Sequence, residues 1–250
     1  MSHLIPFPDG GYGFLKGGFP YSPAIRVLDG YAVERVRFAR PLPVQQGFAA
    51  IEAHLASLGR PRTALCAAEL RSPKQFSMSG FGKFNEGYVA VLTRWDLFRD
   101  GVNPVARSNV APAIGPPDEP SFYAFCYTVP VANASPSFVV AGSGEWPGGG
   151  KFPEDIVARG NVSAAGLNAK ARWVLDAMEN RLAGLGVSWR DVTAMQVYTV
   201  HDIHPILRDQ IVPRAGNGAG LTWHYCRPPI EELEFEMDVR GVAVERVLPG

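Results

Sequence analysis

At 250 residues the chain is long enough for one large domain or two of about 125, and its 46% hydrophobic residues suffice for a core. Lysine plus arginine and aspartate plus glutamate both total 24, so the net charge is zero, which excludes a nucleic-acid protein relying on a basic face. Only 19% of residues are charged, and a chain so near neutrality favours self-association, so a homo-oligomer is expected.

Cys66, Cys126 and Cys226 form neither a metal spacing nor an even disulfide set, and read as buried thiols in a reducing compartment. The opening MSHLIPFPDGGYGF lacks a basic n-region and an apolar h-region. No apolar run approaches the ~20 residues of a membrane span. The expectation is a soluble, cytoplasmic protein without membrane or nucleic-acid partners.

In chain order, Met1–Ser22 is rich in glycine, proline and aromatics and reads as an ordered but irregular arm. Ala24–Val27 and Tyr31–Phe38 alternate apolar and polar residues around Asp29-Gly30, a hairpin signal. Val44–Gly59 carries Phe48, Ile51, Leu55 and Leu58 at helical spacing and ends in glycine. Strand Ala64–Leu70 and helix Phe81–Arg94, with its stripe of Phe84, Tyr88, Val91 and Leu92, come next. They lead to GVNPVARSNVAP, where a strand over Ala106–Ala113 puts Arg107, Asn109 and Ala111 on one face. An arginine among small neighbours leaves room for a carboxylate taken two bonds at a time; a surface arginine on an edge strand is the plainer alternative. Strand Ser121–Pro130 closes this half.

Val131–Ser137 reads as a linker, and a second series follows. It comprises strand Phe138–Gly142, a glycine-rich turn at Pro147–Gly150, and a helix over Val162–Leu185 ending at Gly186. Strand Val192–Val200, a short helix Ile203–Val212, and strands Leu221–Cys226 and Glu232–Val239 complete it. The last strand alternates strictly, with Leu233, Phe235, Met237 and Val239 inward and Glu232, Glu234 and Glu236 outward. Both halves run through strands, a long helix, a strand, a shorter helix and two strands. The order implies a duplicated α+β unit, 1–131 and 132–250, each a mixed sheet with two helices packed on one face.

From Phe138 onward the chain resembles the RidA (YjgF) family of enamine/imine deaminases, on FVVAGSGEWPGG, LDAMENRLAGLGVSWRDVTAMQVYTVHD and LEFEMDVRGV. The first half resembles the later part of the same pattern in KFNEGYVAVL, NPVARSNVAP and FYAFCYTVP. The resemblance implies two tandem RidA-like (chorismate-mutase-like) domains and homo-oligomers, trimeric or similar, with clefts between subunits. It implies an arginine that grips the substrate carboxylate, a glutamate on the last strand that positions water, and no metal or organic cofactor. Carried over, the arginine is Arg107, the glutamate Glu234, and the cleft turn Ser143, Gly144 and Glu145. The first half has no acid at the glutamate position near Tyr123, and the second no arginine near Ala219, where Arg214 and Arg227 are off register. The arginine and the glutamate thus come from different halves: either they combine in a composite site, the favoured expectation, or one element has drifted and the catalytic function has changed.

Arg107 would hold the carboxylate and Glu234 serve as general base, its pKa raised by a partly apolar cleft and by Glu232 and Glu236. A solvated strand face is the competing reading of these glutamates. Asn109 joins Arg107 in substrate binding, and Trp223 and His224 would wall a flat conjugated substrate, unless they serve core packing. His201 and His204 have a chelating spacing, but at a strand-to-helix turn Asp202 reads as a cap. The expected activity is cofactor-independent hydrolytic deamination of an enamine or imine carboxylate. A 2-aminomuconate-type acid from aromatic degradation fits, with Arg26, Arg37 or Arg227 as candidates for a second carboxylate. A non-catalytic binding or regulatory protein that kept the cleft is the alternative.

Overall fold

A computed structural model describes residues 4–132, 136–216 and 220–249. Its elements are β1 (Leu4–Phe7), β2 (Tyr12–Leu15), β3 (Ala24–Val27), β4 (Tyr31–Pro43), α1 (Val44–Ser57), β5 (Leu65–Arg71), α2 (Met78–Arg94), β6 (Ala106–Pro112) and β7 (Ser121–Pro130). There follow β8 (Phe138–Gly144), α3 (Ala164–Gly184), β9 (Ala194–Tyr198), α4 (His204–Ile206), a π-helical turn Leu207–Ile211 and α5 (Val212–Ala215). β10 (Gly220–His224), β11 (Cys226–Arg227), β12 (Glu236–Gly241) and β13 (Val244–Leu248) end the chain.

The strands form two mixed sheets, in the orders β1-β2-β3-β8-β12-β9-β10 and β11-β6-β5-β7-β4-β13. Each sheet draws strands from both ends of the sequence. The opening arm supplies three strands to the sheet otherwise built after residue 137, while β11 and β13 return to the first. The Asp29-Gly30 turn forms, with Gly30 at φ 83° and Tyr31 N–H donating to Leu28 O at 3.2 Å. The strands it joins are not a hairpin, however: β3 and β4 lie in different sheets, so the turn carries the chain from one layer to the other. Part of the expected linker, 133–135, lies outside the described residues.

α1 buries Phe48, Ile51 and Leu55, and α2 buries Tyr88, Val89, Val91 and Leu92, in one apolar core with β5 and β7. Leu58 falls past the end of α1 and is exposed, so the expected stripe is one residue too long. Ser77 and Ser163 cap α2 and α3 by accepting from Gly80 and Gly166 N–H at 3.1 and 3.3 Å. α3 packs Leu167, Ala171, Val174, Leu175, Met178 and Leu182 against Val140, Val197, Met237 and Val239 in a second core. Helices thus cover the outer side of each sheet.

The inner sides meet through buried polar groups rather than hydrocarbon. Arg35 holds Glu69 through Nε–Oε1 at 2.6 Å and Nη2–Oε2 at 2.9 Å. Burial raises the Glu69 pKa, but the facing Arg35 overrules it and holds the carboxylate well below its usual range. Gln196 Nε2 donates to Glu69 Oε2 (3.2 Å) and to Asp238 Oδ1 (3.0 Å), while Ser108 Oγ (2.6 Å) and Tyr198 OH (2.8 Å) donate to Asp238 Oδ2. The outward face of the last strand is therefore not solvated as its alternation suggests: Glu236, Asp238 and Arg240 are all buried between the sheets. That strand also starts later than its alternation suggests. Glu232 sits at φ 71° in a turn, and pairing begins at Glu236. No helix among the described residues is long and apolar enough to cross a membrane.

Candidate functional site

β6 of one sheet, the ends of β8 and β12 of the other, and faces of α2 and α3 enclose a cavity of about 620 Å³. Arg107 enters it from β6 inside an aromatic cage, its Cζ 4.7 Å from the Tyr88 ring, 5.2 Å from Tyr21 and 5.6 Å from Phe81. Its Nη2 donates to Asn85 Oδ1 at 2.7 Å, while its Nη1 is buried without a partner. Desolvation pushes its pKa down, so an anionic partner would relieve a strained charge. Asn109, two residues on, receives Ser72 Oγ on its Oδ1 at 2.9 Å and leaves its Nδ2 donor unpaired. Trp146 Nε1 on the facing loop is a third buried donor with nothing to bind. Three orphaned donors around one cavity are unusual for a native fold, where such groups are nearly always paired.

The acid of the cavity is Glu236, the first residue of β12. Its carboxyl packs over Gly142, where any Cβ would collide with its Oε1. Burial first, then Asp238 and Glu145, push its pKa well above the usual carboxylate value, against the opposing pull of Arg181 and Arg107. A buried carboxyl with a raised pKa beside two guanidiniums is suited both to give and to take a proton. Ser143 lines the same wall, its Oγ accepting from Arg181 Nη2 at 3.2 Å.

A family model described as 2-aminomuconate deaminase CnbZ matches residues 4–246. The chain belongs to this family. A 2-amino-5-chloromuconate deaminase from Comamonas testosteroni is 44% identical over 251 residues, covering 99% of this chain and 100% of that one. Among solved structures, a chorismatase matches with a TM-score of 0.52 at 13% identity, over 97% of this chain and 86% of its own. The Escherichia coli YjgF gene product matches 46% of this chain and 84% of its own at 16% identity, with a TM-score of 0.32. The mixed α+β architecture with two mixed sheets is shared with the chorismatase.

Within this 2-aminomuconate deaminase family member, Arg107, Asn109, Ser143 and Gly144 come together at the cavity as the sequence implies. Glu234 does not. Its Oε2 is held by His201 Nε2 at 2.8 Å and Arg227 Nη1 at 2.9 Å, away from the cavity lining. Strict alternation would place residues 234 and 236 in phase, but after the turn at 231–232 the residues 233–235 are not part of the strand, and it is Glu236 that lines the cavity. Glu145 lies behind the wall, fully buried, paired with Lys170 Nζ at 3.1 Å and accepting the Glu234 and Phe235 N–H groups. Arg26, Arg37 and Arg227 are absent from the cavity lining; Arg26 donates to Leu185 O and Arg37 to Phe38 O. The position near Ala219 lies outside the described residues. Asp202 accepts from His204 N–H at 3.0 Å within a turn, but it is not the expected cap: Ile203 occupies the N-cap position of α4 and no side chain caps it.

Trp223 and His224 also stay away from the cavity. Trp223 is half exposed, its Nε1 donating to Thr199 O at 3.0 Å. His224 stacks on Tyr198 with centroids 5.1 Å apart and donates from Nε2 to Gln196 Oε1 at 3.0 Å, lining a separate, open cleft with Arg71 and Tyr123. Burial and then the Arg71 charge lower its pKa to about 4. A group whose folded pKa is depressed stabilises the fold above its unfolded value near 6.5 and loses that contribution as pH falls through 4. Unfolding curves from pH 7 to 4 should show wild type losing about 2 kcal/mol more than His224→Gln, after discounting for the partly exposed ring. Parallel losses in the two proteins would remove this role.

Proposed function

We propose that the protein is a hydrolytic deaminase of 2-aminomuconate-type enamine acids, working without an organic cofactor or metal and releasing ammonia. What supports this reading above all is the pairing, in one cavity, of a buried carboxyl whose pKa is raised by its burial with an arginine whose free N–H is buried and unpartnered.

Arg107 and Asn109 bind the carboxylate next to the carbon that bears nitrogen. An enamine is nucleophilic at carbon, so Glu236 transfers its proton to the carbon of the C=C–N system that is β to nitrogen, or to its vinylogous position. The C=C electrons form the new C–H bond as the nitrogen lone pair forms C=N, giving an iminium and a Glu236 carboxylate. Water then adds to the iminium carbon while Glu236 takes back a proton. The resulting carbinolamine moves a proton to nitrogen, expels ammonia and becomes a ketone. The sum is enamine plus water to ketone plus ammonia, with Glu236 regenerated. Arg107 also withdraws electron density from the adjacent carboxylate and keeps the iminium carbon electrophilic.

Ammonia release from freshly generated 2-aminomuconate tests the reading, wild type beside Arg107→Met. The variant is expected to lose about 100-fold in kcat/KM with folding intact, the scale of a charge-assisted bidentate contact in a dry site. A wild-type protein that releases no ammonia from this or simpler enamine acids overturns the reading and leaves a binding role.

A further inference from the structure

The cavity holds a second arginine that the deamination steps do not use. Arg181 projects from α3, behind the seven-stranded sheet, whereas Arg107 comes from β6 of the other sheet. Both line the same space, with Glu236 between them on β12 and within the electrostatic reach of each. Arg181 Nη1 donates to Ala141 O at 2.8 Å and Gly142 O at 3.4 Å, and Nη2 donates to Ser143 Oγ at 3.2 Å. A guanidinium has five N–H bonds. The Nε–H and the remaining Nη2 hydrogen have no partner among the described residues, and no carboxylate pairs with this charge.

A purely structural arginine at the end of a strand would normally be matched by an acid or left in water. This one is only partly exposed, has no carboxylate bonded to it, and lines the cavity that also holds Arg107. Ser143 Oγ, held by Arg181, keeps its own proton free for an acceptor in the cavity. Its present acceptor is Gly144 O at 3.5 Å, a bond near the limit of geometry.

We propose that Arg181 and Ser143 form a second carboxylate subsite, which selects linear conjugated dicarboxylates over monocarboxylates of the same chain length. The inference rests on the deaminase reading for which end of the substrate reacts: Arg107 takes the carboxylate beside the nitrogen-bearing carbon, Arg181 the distant one. The diacid is thereby stretched across Glu236. A cavity of about 620 Å³ leaves room for a ring-derived substituent on such a chain.

The probes are trans,trans-muconate and sorbate, which share a six-carbon diene chain and differ in one carboxylate. Calorimetric titration of wild type should give muconate binding about 30-fold tighter than sorbate. In Arg181→Met that ratio should fall to within about threefold, with sorbate affinity little changed, and Arg181→Lys should restore part of it. Equal weakening of both probes would mean that Arg181 only props the end of β8, and an unchanged ratio would mean that it is not a ligand; either result overturns the subsite. Ammonia release from 2-aminomuconate is read on the same samples. A discriminating protein that releases no ammonia would sink the deaminase reading alone, and an active protein with no discrimination would sink the subsite alone.

Discussion

Glu236→Gln is expected to lower ammonia release by about a thousandfold, while Glu234→Gln changes it by less than about threefold, which is the scale of a lost general acid–base against a surface carboxylate. The two residues are two apart and chemically identical, so the contrast isolates position. Glu236 lies at the cavity wall, whereas Glu234 lies off it, hydrogen-bonded to His201 and paired with Arg227. Glutamine copies the shape of the protonated acid, so the fold should tolerate it. Because the folded pKa of Glu236 is raised, its contribution to stability is present at low pH and is lost as pH rises through that pKa. Glu236→Gln should therefore unfold at equal or higher denaturant than wild type in alkaline buffer. The wild-type rate should fall as pH rises through the same raised pKa, since carbon protonation needs the acid form. A steric arm gives independent support: Gly142→Ala puts a methyl group into the Glu236 carboxyl and should also abolish turnover, although it changes no ionisable group. Turnover that survives Glu236→Gln and fails in Glu234→Gln would return the role to Glu234.

Much of this was legible in the sequence because apolar periodicity reports which face of an element is covered. The bounds of α1, α3, β3 and β5 to β9 fall within about two residues of expectation, whereas α2 starts three residues early, β4 runs five residues further, and β1 and β2 form where an irregular arm is expected. The P-x-A-R-S segment identified Arg107 and, through strand alternation, Asn109. One cause of the departures is that alternation alone suggests that polar residues on a strand face water. Here the second side of each sheet is covered by the other sheet, so Glu69, Asp238, Gln196 and Arg240 are buried against partners far away in the chain, and alternation cannot reveal that. The choice between Glu234 and Glu236 depended on a left-handed turn at Glu232, a conformation that glutamate seldom signals. Arg181 was hidden for a third reason. It flanks the apolar stripe of α3, where a long basic side chain reads as the edge of a solvated face until a cavity is seen beside it.

Lys170→Met is expected to cost about 3–5 kcal/mol in chemical denaturation at pH 7, the price of leaving a buried carboxylate unpaired. Lys170 and Glu145 are both fully buried and 3.1 Å apart, and Lys170 Nζ also donates to Val157 O at 2.9 Å. Methionine fills much of the same volume, so the loss should come from charge rather than from a cavity. Burial already raises the Glu145 pKa, with Lys170 as the largest opposing influence. Without the lysine, the carboxyl should hold its proton to still higher pH. The variant should accordingly regain stability as pH falls, and lose it as pH rises through the new folded pKa. Lys170→Met combined with Glu145→Gln should recover about half the loss, since the amide needs no counter-charge and its oxygen can still accept from one N–H. The pair also bears on the site. Glu145 takes the N–H groups of Glu234 at 2.7 Å and Phe235 at 3.1 Å, the two residues immediately before Glu236. A weakened Glu145 should therefore let the start of β12 loosen and lower the deamination rate even where the protein remains folded. A single variant that costs less than about 1 kcal/mol, or a double variant no more stable than the single one, would show that this charge pair does not hold the strand.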